Sequence, residues 1–248
     1  MKKINFWSLF DIMIVTILCV GFVSCGDDDE DELVNMDSKT VYVGSKTSID
    51  GARSVVSDNK FVALVSDDNS IEGWHVGKTT VTVNGKYKLP ITVRGLYHFY
   101  DDPITNWGCS QSYVKQNQKQ GTLNSKSDSK MLIYDNVGSA TLLAYCFDEG
   151  KLFSIMTYVK TSYSSNFINY LTERYLVFPE EVASYSYLGI DGVDFDNFNT
   201  AVMITVESTT YISALYASKD YVDSKSSKVK MFSPLNELNF DMENIIPE

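Results

Sequence analysis

The chain has 248 residues, 44% of them hydrophobic, and a formal net charge of −11 from 32 acidic and 21 basic residues. With that balance no basic patch is available to neutralise phosphates, which argues against a nucleic-acid partner. The length allows two modest domains, each large enough for its own core.

Lys2 and Lys3 precede a mostly apolar stretch from Ile4 to Val23, which runs into Phe22-Val23-Ser24-Cys25. Charge, apolar run, small residue and cysteine in this order resemble a bacterial lipoprotein signal. The resemblance implies that residues 1–24 are a signal peptide and that Cys25 becomes the diacylglycerol-bearing first residue, with the membrane as partner. At about 0.8 kcal/mol per buried methylene, several chains on one cysteine anchor firmly. An uncleaved transmembrane anchor is the competing reading, since about 20 apolar residues span a bilayer. Asp11 opposes it, because a carboxylate within the span costs roughly 3 kcal/mol on insertion scales.

Asp27, Asp28, Asp29, Glu30, Asp31 and Glu32 follow Cys25. Consecutive carboxylates repel and cannot pack, so 25–32 reads as a solvated tether. The run also resembles the export signal of Bacteroidetes-type lipoproteins, which implies an outer-membrane protein displayed on the cell surface. Without residues 1–24 the charge is −12, and the tether carries −6 of it. The folded part is therefore only mildly acidic.

From 33 to 95, short alternating segments appear at Thr40–Val43, Lys46–Ile49, Phe61–Val65, Val81–Val83 and Leu89–Val93. Asn84-Gly85 suits a type I′ hairpin turn, and Gly51–Asn59 reads as a loop. Short strands at this spacing predict an all-β sandwich. Val43-Gly44, Lys60–Val65, Ile71-Glu72-Gly73 and Gly77–Val83 resemble the group 2 bacterial Ig-like domains, which implies a spacer or adhesive module without catalytic residues. His75 and His98 have no second ligand type at metal spacing near them, so each reads as a structural histidine.

Leu96–Pro103 is an aromatic, acidic strap into a second segment, 96–218. Ser110 is a good N-cap for a helix over Gln111–Gln120, with Gly121 as its stop and Cys109 and Val114 as a hydrophobic staple. Strands are expected at Lys130–Tyr134, Ala140–Phe147 and Leu152–Lys160, the last two joined by the tight turn Asp148-Glu149-Gly150. Leu142, Ala144 and Cys146 share one strand face; Leu143, Tyr145 and Phe147 share the other. A helix over Asn166–Tyr175, capped by Ser165, carries the stripe Phe167, Ile168, Leu171 and Tyr175. Ser184–Ile190, Thr200–Val206 and Tyr211–Ala217 close an α+β layer, an antiparallel sheet with two helices on one face. Trp107-Gly108-Cys109-Ser110 with Val114, then Phe147, Asp148-Glu149-Gly150 and Lys151-Leu152, resembles a group of exported α+β domains of undefined role. Residues 219–248 read as a tail that packs only in part.

Beyond the anchor, Cys109 and Cys146 lie in an oxidising compartment. A helix start over a covered strand leaves two arrangements open, a disulfide or two separate buried thiols. Catalytic patterns are missing: no Gly-x-Ser-x-Gly, His-Glu-x-x-His or Cys-x-x-Cys occurs. Asp191–Asn197 departs from a calcium loop, because Phe198 stands at a ligand position and no Glu closes it. No metal, cofactor or catalytic residue is expected. Tyr97, Tyr100, Trp107, Tyr185, Tyr187, Tyr211 and Tyr216 either stack on a ligand or fill the core. The favoured function is a lipid-anchored, non-catalytic surface protein that binds a glycan or an extracellular protein. A structural or envelope-assembly component is the alternative, and a hydrolase with an unrecognised site is a third reading.

Overall fold

Val81, Val83, Leu89, Ile91 and Val93 are the alternating apolar positions of the first segment. In the computed structural model, which describes residues 34–183 and 186–224, all five are buried in one core. The expected signal peptide, Cys25, the acidic run Asp27–Glu32, Tyr185 and the tail beyond 224 lie outside the described residues. The segments are β1 (Val34–Asn35), β2 (Lys39–Tyr42), β3 (Lys46–Thr47), β4 (Val55–Ser57), β5 (Ala63–Val65), β6 (Ile71–Gly73), β7 (Gly77–Val83) and β8 (Tyr87–Arg94). One sheet holds β1, β2, β8, β7 and β4, the other β3, β6 and β5. With Phe61, Val62 and Ile71 they enclose a sandwich-like core.

The β7–β8 hairpin turns at Asn84 (φ 53°) and Gly85 (φ 70°), the doubly left-handed backbone of a type I′ turn. Asn84 does a second job. Its side-chain oxygen accepts from the Arg53 and Ser54 amides at 2.7 and 3.1 Å, and its amide donates to the Gly51 carbonyl at 3.1 Å. This staple sets the expected loop 51–59 against β7, where Val55 and Ser57 turn inward and Val56 outward, so that part of it is strand β4.

After the strap come α1 (Gln111–Asn117), β9 (Thr122–Leu123), β10 (Met131–Val137), β11 (Ala140–Asp148), β12 (Lys151–Lys160), α2 (Ser164–Thr172), β13 (Leu176–Ala183), β14 (Ser186–Ile190), β15 (Thr200–Val206), β16 (Tyr211–Ser218) and α3 (Lys219–Asp223). The strands form one antiparallel sheet in the order β13-β14-β15-β16-β12-β11-β10-β9. Ser110 caps α1 by accepting from the Tyr113 amide, and Val114 is fully buried beside Cys109. Gly108 donates to the Leu152 carbonyl and Leu152 donates back to Cys109, both within 2.9 Å. That exchange gives Trp107-Gly108 and Lys151-Leu152 a structural role, tying the start of α1 to β12.

Strand alternation sorts the sheet. Leu143, Tyr145 and Phe147 pack with α1 and α2 residues Val114, Phe167, Tyr170 and Leu171, while Leu142 and Ala144 pack on the opposite face with Met156, Leu188 and Ala217. Both α1 and α2 thus cover one face. Strand β13 is not among the expected elements; it is an edge strand, the position where Pro179 is tolerated.

Candidate functional site

The described residues of both segments fall within one compact unit, and the seam between the segments is built by a few side chains. At the C-cap of α2, Glu173 is 5% exposed. Its carboxylate accepts from the backbone N–H of Leu96 at 2.7 Å and of Tyr97 at 3.0 Å, and its carbonyl accepts from the Val76 N–H at 2.7 Å. A buried carboxylate needs such donors, because desolvation of an unpaired charge is costly. One residue of the second segment therefore holds both the strap and the approach to β7. Leu176 adds an apolar contact, packing onto the core of the first segment.

Next to it, Asp102 on the strap accepts from the Tyr170 hydroxyl at 2.7 Å and from Arg174 Nε at 2.5 Å. The Arg174 guanidinium lies 3.8 Å over the Tyr170 ring and donates to the Tyr170 carbonyl. The Arg174 charge is thus committed.

These contacts frame an open cleft of about 420 Å³ between the β7–β8 face and the strap. Lys78, Thr92 and Arg94 form its floor, and Tyr97, His98 and the Asp102–Arg174 pair form its wall. Lys78 and Thr92 are register partners, and Arg94 is one step further along the same outward face. Lys78, Arg94, Tyr97 and His98 are all exposed. Among the described residues Lys78 and Arg94 make no ion pair. A small cationic cleft therefore exists in a chain whose linear sequence shows no basic patch.

The other candidates fall elsewhere. Tyr100 and Tyr216 are fully buried, their hydroxyls 2.6 Å apart, and burial pushes both well above the usual tyrosine range. Trp107 packs against the same core and reaches Thr200 Oγ1 at 3.3 Å; Tyr211 packs partly on the opposite face. Tyr97, 42% exposed, lies at the cleft. Of the described aromatics named as platform residues, most serve as core.

His75 is 4% exposed, stacked 4.0 Å from the Phe61 ring with T-shaped Trp74 beside it. Its Nδ1 lies 3.0 Å from the Phe61 carbonyl, an acceptor, so Nδ1 carries the proton. Burial lowers its pKa, with the carbonyl bond opposing. His98 faces the cleft instead. Cys109 and Cys146 are free thiols. Cys109 packs on the helix-covered face, whereas Cys146 alternates with Leu142 and Ala144 on the other, so the sheet separates them. Of the two arrangements open for this pair, the structure has separate thiols. Burial pushes Cys146 up to about 11.

In the loop after β14, Asp191 Oδ1 accepts from the Asn199 and Thr200 amides at 2.7 Å, while burial raises its pKa. Asp194 Oδ1 accepts from the Asp196 and Asn197 amides. These carboxylates pin the loop. Among the described residues no group of three or more His, Cys, Asp or Glu converges as a metal site, and no helix is long and apolar enough to cross a membrane. Near this loop Phe178 and Phe195 stack at 4.8 Å, with Phe195 38% exposed.

Sequence reasoning missed Lys78, Arg94, Asp102, Glu173 and Arg174 as one group, since no local pattern connects them. Compared with known proteins, the chain matches no family model and no curated protein.

Proposed function

We propose that the chain is a lipid-anchored, non-catalytic binding module of the outer-membrane surface, and that its ligand, a glycan or an extracellular protein, enters the seam cleft. The observation that carries this reading is a concave surface on which the Tyr97 ring is exposed and, among the described residues, Lys78 and Arg94 make no ion pair, on a frame fixed by the buried Glu173. Rigid presentation of unpaired groups lowers the ordering cost of binding. Asp102, the cleft carboxylate, already accepts from Tyr170 and Arg174, so it is engaged within the fold.

In this reading Cys25 carries the lipid, the acidic run Asp27–Glu32 directs surface export and spaces the fold from the membrane, and the first segment is an Ig-like module. The second segment is an α+β layer whose strap completes the cleft. A glycan and protein binding array tests it, using the full chain and Thr92→Trp, which places an indole on the cleft floor. The reading requires at least one ligand whose signal disappears in Thr92→Trp while the melting temperature holds. Ligands bound equally by both would overturn it.

A further inference from the structure

Lys78 and Arg94 stand on the outward face of β7 and β8 without a counter-ion among the described residues, beside a carboxylate that does not serve them. Asp102 is engaged by Arg174 and Tyr170, and the Glu173 carboxylate accepts from the Leu96 and Tyr97 amides with Arg174 at 3.9 Å, so both carboxylates beside the cleft are already engaged. In a chain of net charge −11, two cations without an ion pair among the described residues sharing one concavity are a local reversal of sign. A cleft wall of lower dielectric strengthens their joint field at the floor.

We infer that this cleft takes an acidic saccharide, its carboxylate or sulfate held between Lys78 and Arg94 and a sugar face laid on the Tyr97 ring. The inference rests on the reading of the cleft as the binding site and names the class of ligand. Arginine offers a planar fork that matches a carboxylate or sulfate with two parallel hydrogen bonds, and lysine adds a compact charge. Tyr97 is held in place by its own amide, bonded to Glu173, so the ring is presented on an anchored strap. Tyr42 is the register partner of Arg94 on β2, is 46% exposed, and extends the aromatic surface along the same face. The cleft volume of about 420 Å³ falls within the range of about 300–1,000 Å³ typical of small-ligand sites.

An acidic peptide fits less well. Extended peptides dock by adding a strand to a free sheet edge, and Thr92 at the floor is paired on both sides, with Lys78 on β7 and Thr40 on β2. What the floor offers is side chains.

The test is calorimetric titration of the full chain with oligogalacturonate, its methyl ester, a sulfated oligosaccharide and poly-glutamate. The acid should bind and the ester should not, and affinity should fall as salt rises. Lys78→Ala with Arg94→Ala should weaken binding by more than tenfold, and Tyr97→Ala should weaken it while leaving the salt dependence intact. Sulfated saccharide bound through the same residues would support the inference and identify sulfate as an accepted anion. Equal binding of acid and ester, preferential binding of poly-glutamate, or no binding of either acidic saccharide would overturn it. If array ligands still respond to Thr92→Trp in that case, the binding-module reading survives; if none does, both fall.

Discussion

Replacing Glu173 should loosen the seam by a calculable amount. Its carboxylate accepts two backbone N–H groups, from Leu96 and Tyr97, while being 5% exposed. A hydrogen bond to a charged group contributes about 1.5–3 kcal/mol. In Glu173→Ala the exposed strap lets water reach both amides, so the lower end applies to each, for a loss of about 3 kcal/mol. For a fold of about 150–250 residues each kcal/mol shifts the melting temperature by about 2–4 °C, giving a fall of about 6–12 °C. Glu173→Gln keeps one acceptor but turns an NH₂ toward the other donor, and should lose about half as much. The Val76 bond to the Glu173 carbonyl is a backbone contact and persists in both variants. Scanning calorimetry on the full chain, with hydrogen exchange at Leu96 and Tyr97, reads both effects. A drop below about 2 °C in Glu173→Ala, with unchanged exchange at those two amides, would refute the assignment of Glu173 as the seam's main tie.

Burial holds His75 below its ordinary pKa, so the unfolded chain binds the extra proton first and stability should decline as pH falls below about 6.5. His75→Phe keeps the ring stack and should lack this decline; identical melting-temperature slopes from pH 7.5 down to pH 5, about one and a half units below that reference pKa, would contradict it. Tyr216→Phe removes one of two buried hydroxyls that face each other at 2.6 Å, which should cost about 1–2 kcal/mol by denaturant titration; a change under about 0.3 kcal/mol, within the range of an ordinary surface substitution, would mean the pair contributes little. Cys25→Ala should abolish labelling with a clickable fatty acid in cells, and equal label in wild type and variant would remove the lipid-anchor proposal.

Elements with two independent local signals were legible in advance. Asn84-Gly85 combined turn chemistry with flanking alternation, and that turn occurs as expected. Ser110 caps α1 as expected, but the helix ends at Asn117 rather than Gln120, because Gln118 is already extended, so Gly121 is not its stop. The sorting of Leu142 from Leu143 across the sheet followed from period two alone. Where the signal was interrupted, the reading failed. Pro179 with Glu180 and Glu181 breaks the alternation of β13, which is a strand because an edge needs only one bonded side. Strand β4 has three residues, too few for a period to register. Helix α2 starts at Ser164 and ends at Thr172, earlier than its apolar stripe suggests, because Tyr175 packs in the core after the chain has left the helix. The cleft was illegible for a different reason. Glu173 follows the helix stripe with no local pattern to mark it, and its partners lie 76 and 77 positions away. Lys78 and Arg94 are 16 positions apart with no motif joining them, and only tertiary pairing of β7 with β8 and the strap brings them to one concavity.

The most direct test of the seam cleft as the binding site is hydrogen exchange of the full chain with and without a ligand recovered from the array. The account predicts slowed exchange over Gly77–Lys78, Thr92–Arg94 and Leu96–His98 on ligand binding. Protection confined to another surface, such as the loop carrying Phe195, with no change at the seam, would contradict it.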